Sequence, residues 1–309
     1  MMNDTVVIGT TFVDLKGFST NIYDPQGRNL GDVKIVHGGV GRNVAENFAN
    51  VGMPVSYVGM LEDSAIGRDV ERHLSEIGVD LNHVVRAPEN GIGMWLVIMD
   101  ENGDLAGSIS KMPDIKYLEE YLEEHGEEII SGASDVILKV DLNERIAELV
   151  IGLCEKYHKN VYSIVGNLSV VLSRRDLIRK TSCFICNEIE AAKFFGKSEL
   201  KKYSLQQMNE FLKDAAIKEG ISSMVVTMGP KGAVCYDGKK CFVCPSYPAD
   251  VVDTSGAGDA FFSGTVMGLI KGQPLSMAVK YGARLASATI SRQETVCPVN
   301  KKFFEKKVV

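Results

Sequence analysis

Short apolar runs alternate with amphipathic stretches along most of this 309-residue chain. The apolar runs predict buried strands because both faces of each run are apolar; they lie at 6–8, 55–60, 136–140, 161–165, 183–186 and 224–227. Helices are predicted by amphipathic patterns at 40–51, before Gly52, and at 67–77 and 205–215. Strands that alternate with helices favour right-handed crossovers. The pattern therefore predicts an α/β fold with a central, mostly parallel sheet flanked by helices.

Two segments interrupt this alternation. Residues 14–38 contain few periodic apolar positions and many Gly, Asn and Asp residues, whereas 92–110 resembles a hairpin. The hairpin is predicted by an apolar run at 94–99 and a turn that contains Asn102-Gly103. We expect both segments to leave the main sheet and to form a small antiparallel lid. The predicted layout is a single domain over 1–309 that carries this lid.

Composition restricts the partners that the chain can have. Hydrophobic residues make up 45% and charged residues 24%, with a net charge of −6, as in ordinary globular proteins. This acidic excess favours neither a nucleic-acid backbone nor an anionic membrane. Asn3 and Asp4 interrupt any secretory signal, and no long apolar run predicts a membrane span. We therefore expect a cytoplasmic protein without nucleic-acid or membrane partners.

Seven cysteines, an odd number, are typical of a reduced compartment. Two pairs have the spacing of metal ligands, Cys183 with Cys186 and Cys241 with Cys244. Both pairs lie in apolar runs that predict strands, whereas zinc knuckles usually lie in turns. We therefore predict buried core thiols at these positions.

The most distinctive chemical signal is the segment 253–259, which reads Asp-Thr-Ser-Gly-Ala-Gly-Asp and precedes an apolar helical stretch. A glycine-rich turn that leads into a helix presents free N–H groups and the positive end of a dipole to an anion. Asp259 is either a charge that complements this dipole or a general base for a hydroxyl that attacks a phosphoryl group. The chain has neither a P-loop motif nor a Rossmann glycine motif after its first strand.

Three further motifs accompany this segment. They are Gly-Gly-Val-Gly-Arg-Asn-Val-Ala-Glu-Asn at 38–47, Asn-Glu-Ile-Glu at 187–190 and Thr-Met-Gly-Pro-Lys-Gly at 227–232. Together with 253–259 they resemble, in order, the signatures of the ribokinase-like (PfkB) carbohydrate kinases. The resemblance implies a ribokinase-like fold that uses ATP and Mg²⁺. The implied reaction is phosphorylation of a primary hydroxyl of a sugar or nucleoside.

The resemblance also implies a role for each matching residue. Catalysis is assigned to Asp259 as general base and to an anion hole formed by Gly256, Ala257 and Gly258. ATP is assigned to Asn187, Thr227, Gly229, Gly232 and Ala283, and Mg²⁺ to Glu190. The substrate is assigned to Asp14, Asn43 and the pair Gly38 and Gly39, which also resembles the hinge between lid and core.

Some positions leave alternatives open. Glu190 taken alone is an exposed helix charge, and the small residues at 276–290 fit either an adenine ring or helix packing. Asp253 and the segment near Ser291 resemble a monovalent-cation (K⁺) loop found in some relatives, and the sequence leaves its presence open. Gly166-Asn167 departs from the Asp-Pro that many relatives have, and Asp141 is a candidate replacement carboxylate.

Within the family, the N-terminal third is most similar to pseudouridine kinases, through 14–17 (Asp-Leu-Lys-Gly) and 31–35. This resemblance predicts the 5′-hydroxyl of pseudouridine as acceptor, with Met94, Leu96 or Ile98 covering the base. The alternatives are a ribokinase or fructokinase that acts on a free sugar, and a non-catalytic sensor of sugars or nucleosides. Exposed strand edges in the lid favour a homodimer through that lid.

Overall fold

The structure, a computed structural model, describes residues 4–102 and 104–305. Its strands are β1 Thr5–Ile8, β2 Phe12–Ser19, β3 Gly31–Gly38, β4 Val55–Val58, β5 Met60–Glu62, β6 Val85–Ala87, β7 Gly93–Met99, β8 Leu105–Lys111, β9 Asp135–Lys139, β10 Asn160–Ile164, β11 Cys183–Asn187, β12 Met224–Thr227, β13 Ala233–Tyr236 and β14 Cys241–Cys244. Its α-helices are α1 Val40–Asn50, α2 Ala65–Glu76, α3 Lys116–Gly132, α4 Glu144–Lys156, α5 Ser169–Ser173, α6 Arg175–Arg179, α7 Glu188–Phe194, α8 Leu205–Glu219, α9 Ala257–Ile270 and α10 Leu275–Ile290. Two 3₁₀ turns, Ser198–Lys202 and Gly229–Lys231, complete the described elements.

The main sheet has eight strands in the order β14-β13-β12-β11-β10-β9-β1-β4. The six strands from β12 to β4 are parallel, and β13 and β14 add an antiparallel edge. Val7 packs on one face with α1, α2, α9 and α10, whereas Val6 and Ile8 pack on the other with α3, α4, α7 and α8. The predicted mostly parallel sheet with helices on both faces is confirmed. Among the described residues, no helix combines the length and apolarity needed to cross a bilayer.

The run at 55–60, predicted as one strand, is divided at Gly59. β4 ends at Val58, and β5 pairs instead with β6 in a separate two-stranded sheet. The carbonyl of Gly59 accepts the N–H of Val85 at 2.8 Å. A Cβ atom on Gly59 would lie 2.7 Å from the carbonyl oxygen of Gly9, so only glycine fits at this change of direction.

Helix α2 begins at Ala65, two residues before its predicted start. The Oγ atom of Ser64 accepts the N–H of Gly67 at 3.0 Å and caps the helix.

The four cysteines with metal-like spacing lie in strands, as predicted: Cys183 and Cys186 in β11, and Cys241 and Cys244 in β14. Three of these four thiols are buried and Cys241 is half-buried.

Residues from the two interrupting segments form a small sheet with the order β3-β2-β7-β8. The expectation of an antiparallel sheet is wrong for its central pair, because β2 and β7 run parallel, whereas both outer pairs are antiparallel. Both central strands leave the main domain side by side, where the N–H of Gly93 donates to the carbonyl of Thr11 at 3.0 Å. In the β7–β8 turn, Oδ1 of Asp100 accepts the N–H of Asn102 and of Asp104 at 2.9 Å, and Gly103 lies outside the described residues.

The first turn of α1 lies directly against the end of β1. A Cβ atom on Gly41 would lie 2.6 Å from the Cα atom of Gly9, and one on Gly9 would lie 2.7 Å from that of Gly41. Gly39 precedes the helix with φ of 96°, in the region that favours glycine. These glycines therefore let α1 begin close to the end of the sheet.

We expect Gly41→Ala to lower the free energy of unfolding by about 1–3 kcal/mol, because the added methyl group overpacks two backbones. Urea denaturation measures the change. Gly152→Ala in α4 is the matched control: a Cβ there meets no described atom within 4 Å, so helix propensity should raise stability by about 0.5–1 kcal/mol. A Gly41→Ala protein as stable as the wild type would contradict the close contact.

Candidate active site

The N-terminal turns of α1 and α9 meet at the carboxyl ends of the parallel strands. There Nδ2 of Asn43 donates to Oδ2 of Asp259 at 2.7 Å, which joins two of the predicted motifs. The hydroxyl of Thr295 lies 3.2 Å from Oδ1 of Asn43 and holds the amide from its other end. We call the space between this pair, the small sheet and the glycine-rich loop 253–258 the cleft.

Asp259 is a half-buried residue in the first turn of α9. Burial among protein atoms raises its pKa to about 6, although the hydrogen bond from Asn43 and the charges of Arg42 and Lys139 oppose this rise. A carboxyl with a pKa close to neutral can both accept and release a proton at physiological pH. The environment of Asp259 is thus suited to proton transfer.

The loop before α9 leads into a helix without a side-chain cap among the described residues, and the N–H of Ala257 donates to the carbonyl of Thr254 at 3.3 Å. Gly256 begins the helix in the left-handed conformation with φ of 76°, and a Cβ atom there would lie 1.8 Å from the carbonyl oxygen of Thr295. Within the described residues, the space beside Cα of Gly258 is open. Uncapped N–H groups at a helix N-terminus attract anions. Ala257 and Gly258 also line the neighbouring cavity.

That cavity has a volume of about 560 Å³ and brings together most of the residues predicted for ATP. Its lining includes Thr227, Gly229, Gly232, Ala257, Gly258 and Ala283. The segment 244–249 and Val251 supply a mostly apolar wall. A flat apolar ring fits such a wall, while the N–H groups at its inner end suit phosphates.

The small residues of α10 serve two faces. Ala283, Ala286 and Ser287 line the cavity. A Cβ atom on Gly282 would instead lie 2.5 Å from the carbonyl oxygen of Phe261, so this glycine allows α10 to pack closely on α9. Helix packing is therefore confirmed for Gly282, whereas the binding of an adenine ring by the cavity-lining residues stays a prediction.

Asn187 and Glu190 form a capping box at the start of α7. Oδ1 of Asn187 accepts the N–H of Glu190 at 2.9 Å, and Oε2 of Glu190 accepts the N–H of Asn187 at 2.8 Å. Asn187 pairs with Thr227 across β11 and β12, which places this box beside the cavity. Burial raises the pKa of Glu190, and the negative charge of the nearby Asp141 raises it further. Both effects disfavour the ionised carboxylate, so a cation beside it would stabilise that carboxylate.

One acidic side chain is a sufficient protein ligand for Mg²⁺, which keeps most of its waters and takes oxygens from phosphate. Glu190 fits this requirement. In the ranges 4–102 and 104–305, no group of three or more His, Cys, Asp or Glu side chains is arranged as a metal site. A metal held by one carboxylate and the phosphates needs no such group.

Asp141 occupies the region where the sequence departs from the Asp-Pro of many relatives. Its carboxylate accepts the N–H of Gly166 at 3.1 Å and that of Asn167 at 2.9 Å. Nζ of Lys139, a buried side chain, lies 2.8 Å from the same carboxylate. The sequence reading missed Lys139, although a lysine at the end of an otherwise apolar strand is a signal of a paired charge.

Asp14 lies in β2, above the diglycine. A Cβ atom on Gly38 would lie 3.0 Å from both carboxylate oxygens of Asp14, so the bare backbone of Gly38 faces this carboxylate. Burial raises the pKa of Asp14, while the charges of Lys16 and Arg42 lower it. The structure therefore groups Asp14 with Gly38, close to the helix that carries Asn43.

The strand register decides which side chains accompany Asp14. Asp14 pairs with Trp95, and Lys16 pairs with Val97, so alternation places all four on one face of the small sheet. Met94, Leu96 and Ile98 lie on the opposite face. The prediction that these three cover the substrate is therefore wrong. Alternation along the strand shows that the three share a face, but it does not show which face meets the cleft.

Two further charged residues were missed by the sequence analysis. Arg42 is fully buried and donates hydrogen bonds to Glu46 and to the carbonyl of His37, directly behind Asn43. Lys16 is buried and contacts Asp253 in the loop before α9. Because side chains alternate along a strand, the position of Asp14 already predicts that Lys16 lies on the same face of the small sheet. The burial of Arg42 depends on tertiary packing and has no such signal in the sequence.

Known proteins resemble this chain over nearly its whole length. A guanosine-inosine kinase from Exiguobacterium acetylicum is 35% identical over 295 residues, covering 95% of this chain and 96% of that protein. The pseudouridine kinase of Escherichia coli (strain K12) is 24% identical over 300 residues, covering 95% and 92% of the two chains. The solved structure of Arabidopsis thaliana ribokinase complexed with ribose and ATP matches with a TM-score of 0.83 at 22% identity, covering 99% and 98%.

These similarities confirm the predicted ribokinase-like fold. Residues 2–302 match the family described as pfkB family carbohydrate kinase. The chain therefore belongs to the PfkB family of carbohydrate kinases and is a kinase of sugars or nucleosides.

Proposed function

We propose that the protein transfers the γ-phosphoryl group of ATP to the 5′-hydroxyl of a ribonucleoside, with purine ribonucleosides as the first candidates. The observation that carries this proposal is the Asn43–Asp259 pair beside an uncapped helix N-terminus, faced by a sheet that places Trp95 next to Asp14. The relative named guanosine-inosine kinase supports a purine base. Pseudouridine is the second candidate, supported by a less similar relative.

In this proposal the acceptor lies between Asp14 and Asn43, which bind ribose hydroxyls. Asp259 accepts the proton of the 5′-hydroxyl as its oxygen attacks the γ-phosphorus, and the bond between phosphorus and the β–γ bridging oxygen of ATP breaks. The N–H groups of Gly256, Ala257 and Gly258 stabilise the charge on the phosphoryl oxygens. The pKa of about 6 leaves Asp259 mostly ionised at neutral pH and able to act as the base.

ATP occupies the cavity of about 560 Å³, with its phosphates toward the loop before α9. Thr227, Gly229 and Gly232 line the path of the nucleotide, and Ala283 lies against its ring. Mg²⁺, which neutralises phosphate charge, is held through Glu190, with Asn187 fixing the orientation of that carboxylate. The proposed K⁺ loop at Asp253 stays a prediction; Oδ2 of that carboxylate bonds to Lys16.

The base of the nucleoside is covered by Trp95, which shares the face of Asp14 and is partly exposed. Stacking on an aromatic ring contributes about 1–3 kcal/mol per base. A free pentose gains nothing from such a surface, so it distinguishes nucleosides from ribose or fructose.

We expect kcat/KM to decline as the pH falls through about 6. The pKa of Asp259 is raised to about 6, so the carboxyl is protonated below that pH and cannot accept the hydroxyl proton. Asn43→Ala should move the midpoint to higher pH, because the hydrogen bond that it removes lowers this pKa. Initial rates with saturating Mg-ATP measure both profiles. A profile that stays flat down to pH 5 would remove Asp259 as the base.

We expect Trp95→Leu to lower kcat/KM for inosine and guanosine on the order of tenfold, in line with the loss of one base stack. The value for ribose should stay unchanged. Trp95→Phe keeps a ring and is the matched control. The comparison uses inosine, guanosine, pseudouridine, ribose and fructose under one set of conditions.

Asp259→Asn gives the background rate for this comparison of acceptors, since it removes the general base and keeps the stacking surface of Trp95. Nucleoside binding to this variant can be followed by the fluorescence of Trp95, the single tryptophan of the chain. Equal losses for inosine and ribose in Trp95→Leu would contradict base stacking. Binding without turnover in the wild type would favour the sensor function.

We also propose that two copies associate through the outer face of the small sheet. The register aligns Leu15, Ile35, Leu96 and Ile109 in one row across its four strands, on the face opposite Asp14. Ile35 in β3 is 62% and Ile109 in β8 is 70% exposed, so both ends of this apolar row are open to solvent. A second copy would cover the same row symmetrically.

Ile35→Lys and Ile109→Lys should therefore convert a dimer into a monomer, as measured by sedimentation velocity. Ile217→Lys is the control, because Ile217 is 55% exposed on α8 in the main domain, outside the small sheet. A wild-type monomer over the accessible concentration range would exclude this interface.

A further inference from the structure

Lys16 connects the small sheet to the loop that begins α9. Its Nζ atom lies 2.9 Å from Oδ2 of Asp253 and 3.3 Å from Oγ of Ser255. The residue is only 7% exposed. A lysine is rarely buried to this degree unless its charge is paired, and removal of one partner leaves the other charge unpaired. The contact is therefore a specific link between two distant parts of the chain.

The Asp253 carboxylate uses its two oxygens for different purposes. Oδ1 accepts the N–H of Ser255 at 2.8 Å and closes the turn, whereas Oδ2 bonds to Lys16. Burial raises the pKa of Asp253, but the N–H of Ser255 and the Lys16 ammonium outweigh this effect and lower it. Directly before Asp253, the N–H of Val252 donates to the carbonyl of Ile290, the last residue of α10, at 2.8 Å. The loop is thus held between α10 and the small sheet.

The position of Lys16 in β2 adds a second relation. Lys16 follows Asp14 by two residues, and both lie on the face of the small sheet that meets the cleft. Ser255, which Lys16 contacts, directly precedes Gly256. Strand β2 therefore carries both the Asp14 carboxylate, which is assigned to the acceptor, and the Lys16 ammonium, which contacts the glycine-rich loop.

We propose that Lys16 is a positioning residue: its ammonium holds Asp253 and Ser255 so that the N–H groups of 256–258 point at the phosphoryl group when the small sheet covers the acceptor. Lys16 acts through the loop and does not itself contact the reacting atoms. The proposal rests on the kinase activity of the proposed function and is independent of which acceptor is used. Because the loop acts on charge that develops in the transition state, its misplacement lowers kcat more than it raises KM.

Three variants test this role. Lys16→Met keeps the volume and removes the charge, and kcat should fall on the order of tenfold to a hundredfold, with little change in the KM of the acceptor. Lys16→Ala leaves a gap beside Asp253, and methylammonium should restore part of the lost kcat. Lys34→Met is the matched control: Lys34 pairs with Lys16 across β2 and β3 but bonds to the neutral Gln293 at 3.0 Å.

Sodium chloride at equal ionic strength controls for screening in the rescue experiment. A wild-type kcat in Lys16→Met, or equal effects of sodium and methylammonium on Lys16→Ala, would overturn the proposal. Hydrogen exchange of the amides at 255–260 supplies a readout that needs no turnover: exchange should accelerate in Lys16→Met and stay unchanged in Lys34→Met. Unchanged exchange in Lys16→Met would also overturn the proposal, whereas a wild type that phosphorylates no acceptor would refute the proposed function alone.

Discussion

Two backbones touch at Gly9 and Gly41, and the geometry of the cleft depends on this contact. Because neither residue carries a side chain, α1 begins directly against the end of β1. That position brings Asn43 within 2.7 Å of Asp259, whose helix begins from the glycine-rich loop. Because normal N–H···O distances span only about 0.5 Å, a shift of α1 by the width of one methyl group would break this hydrogen bond.

The charges around the cleft explain how a protein with a net charge of −6 suits a polyanionic nucleotide. Several carboxylates surround the cleft, and buried cations accompany them: Lys16 with Asp253, Lys139 with Asp141 and Arg42 with Glu46. Asp259 lacks such an ion pair among the described residues and has an amide partner instead. In the proposed function, affinity for phosphate therefore comes from oriented N–H groups and from Mg²⁺ rather than from net positive charge.

The sequence was sufficient to predict the layers of the fold, since short apolar runs and amphipathic helices have distinct periods. The motif residues were also predictable, and the structure gathers Thr227, Gly229, Gly232 and Ala283 around one cavity. Pairings that depend on distant segments were not predictable. The parallel contact of β2 with β7, and thus the face that carries Trp95, is invisible to local alternation. Likewise, the burial of Lys139 and Arg42 depends on tertiary packing, although their partners Asp141 and Glu46 lie only two and four residues further along the chain.

The parallel pair at the centre of the small sheet also has a consequence for folding. Two strands joined by a tight hairpin can pair early, because the loop between them closes at little entropic cost. β2 and β7, by contrast, are separated in the chain by α1, β4 and α2, which contribute to the main domain. The contact of Asp14 with Trp95 is therefore of high sequence separation, and such contacts form slowly. The β1–β9 pair of the main sheet joins strands that are still further apart in the chain. The small sheet therefore cannot assemble as an independent hairpin, and the cover of the cleft depends on the same kind of long-range closure as the parallel core.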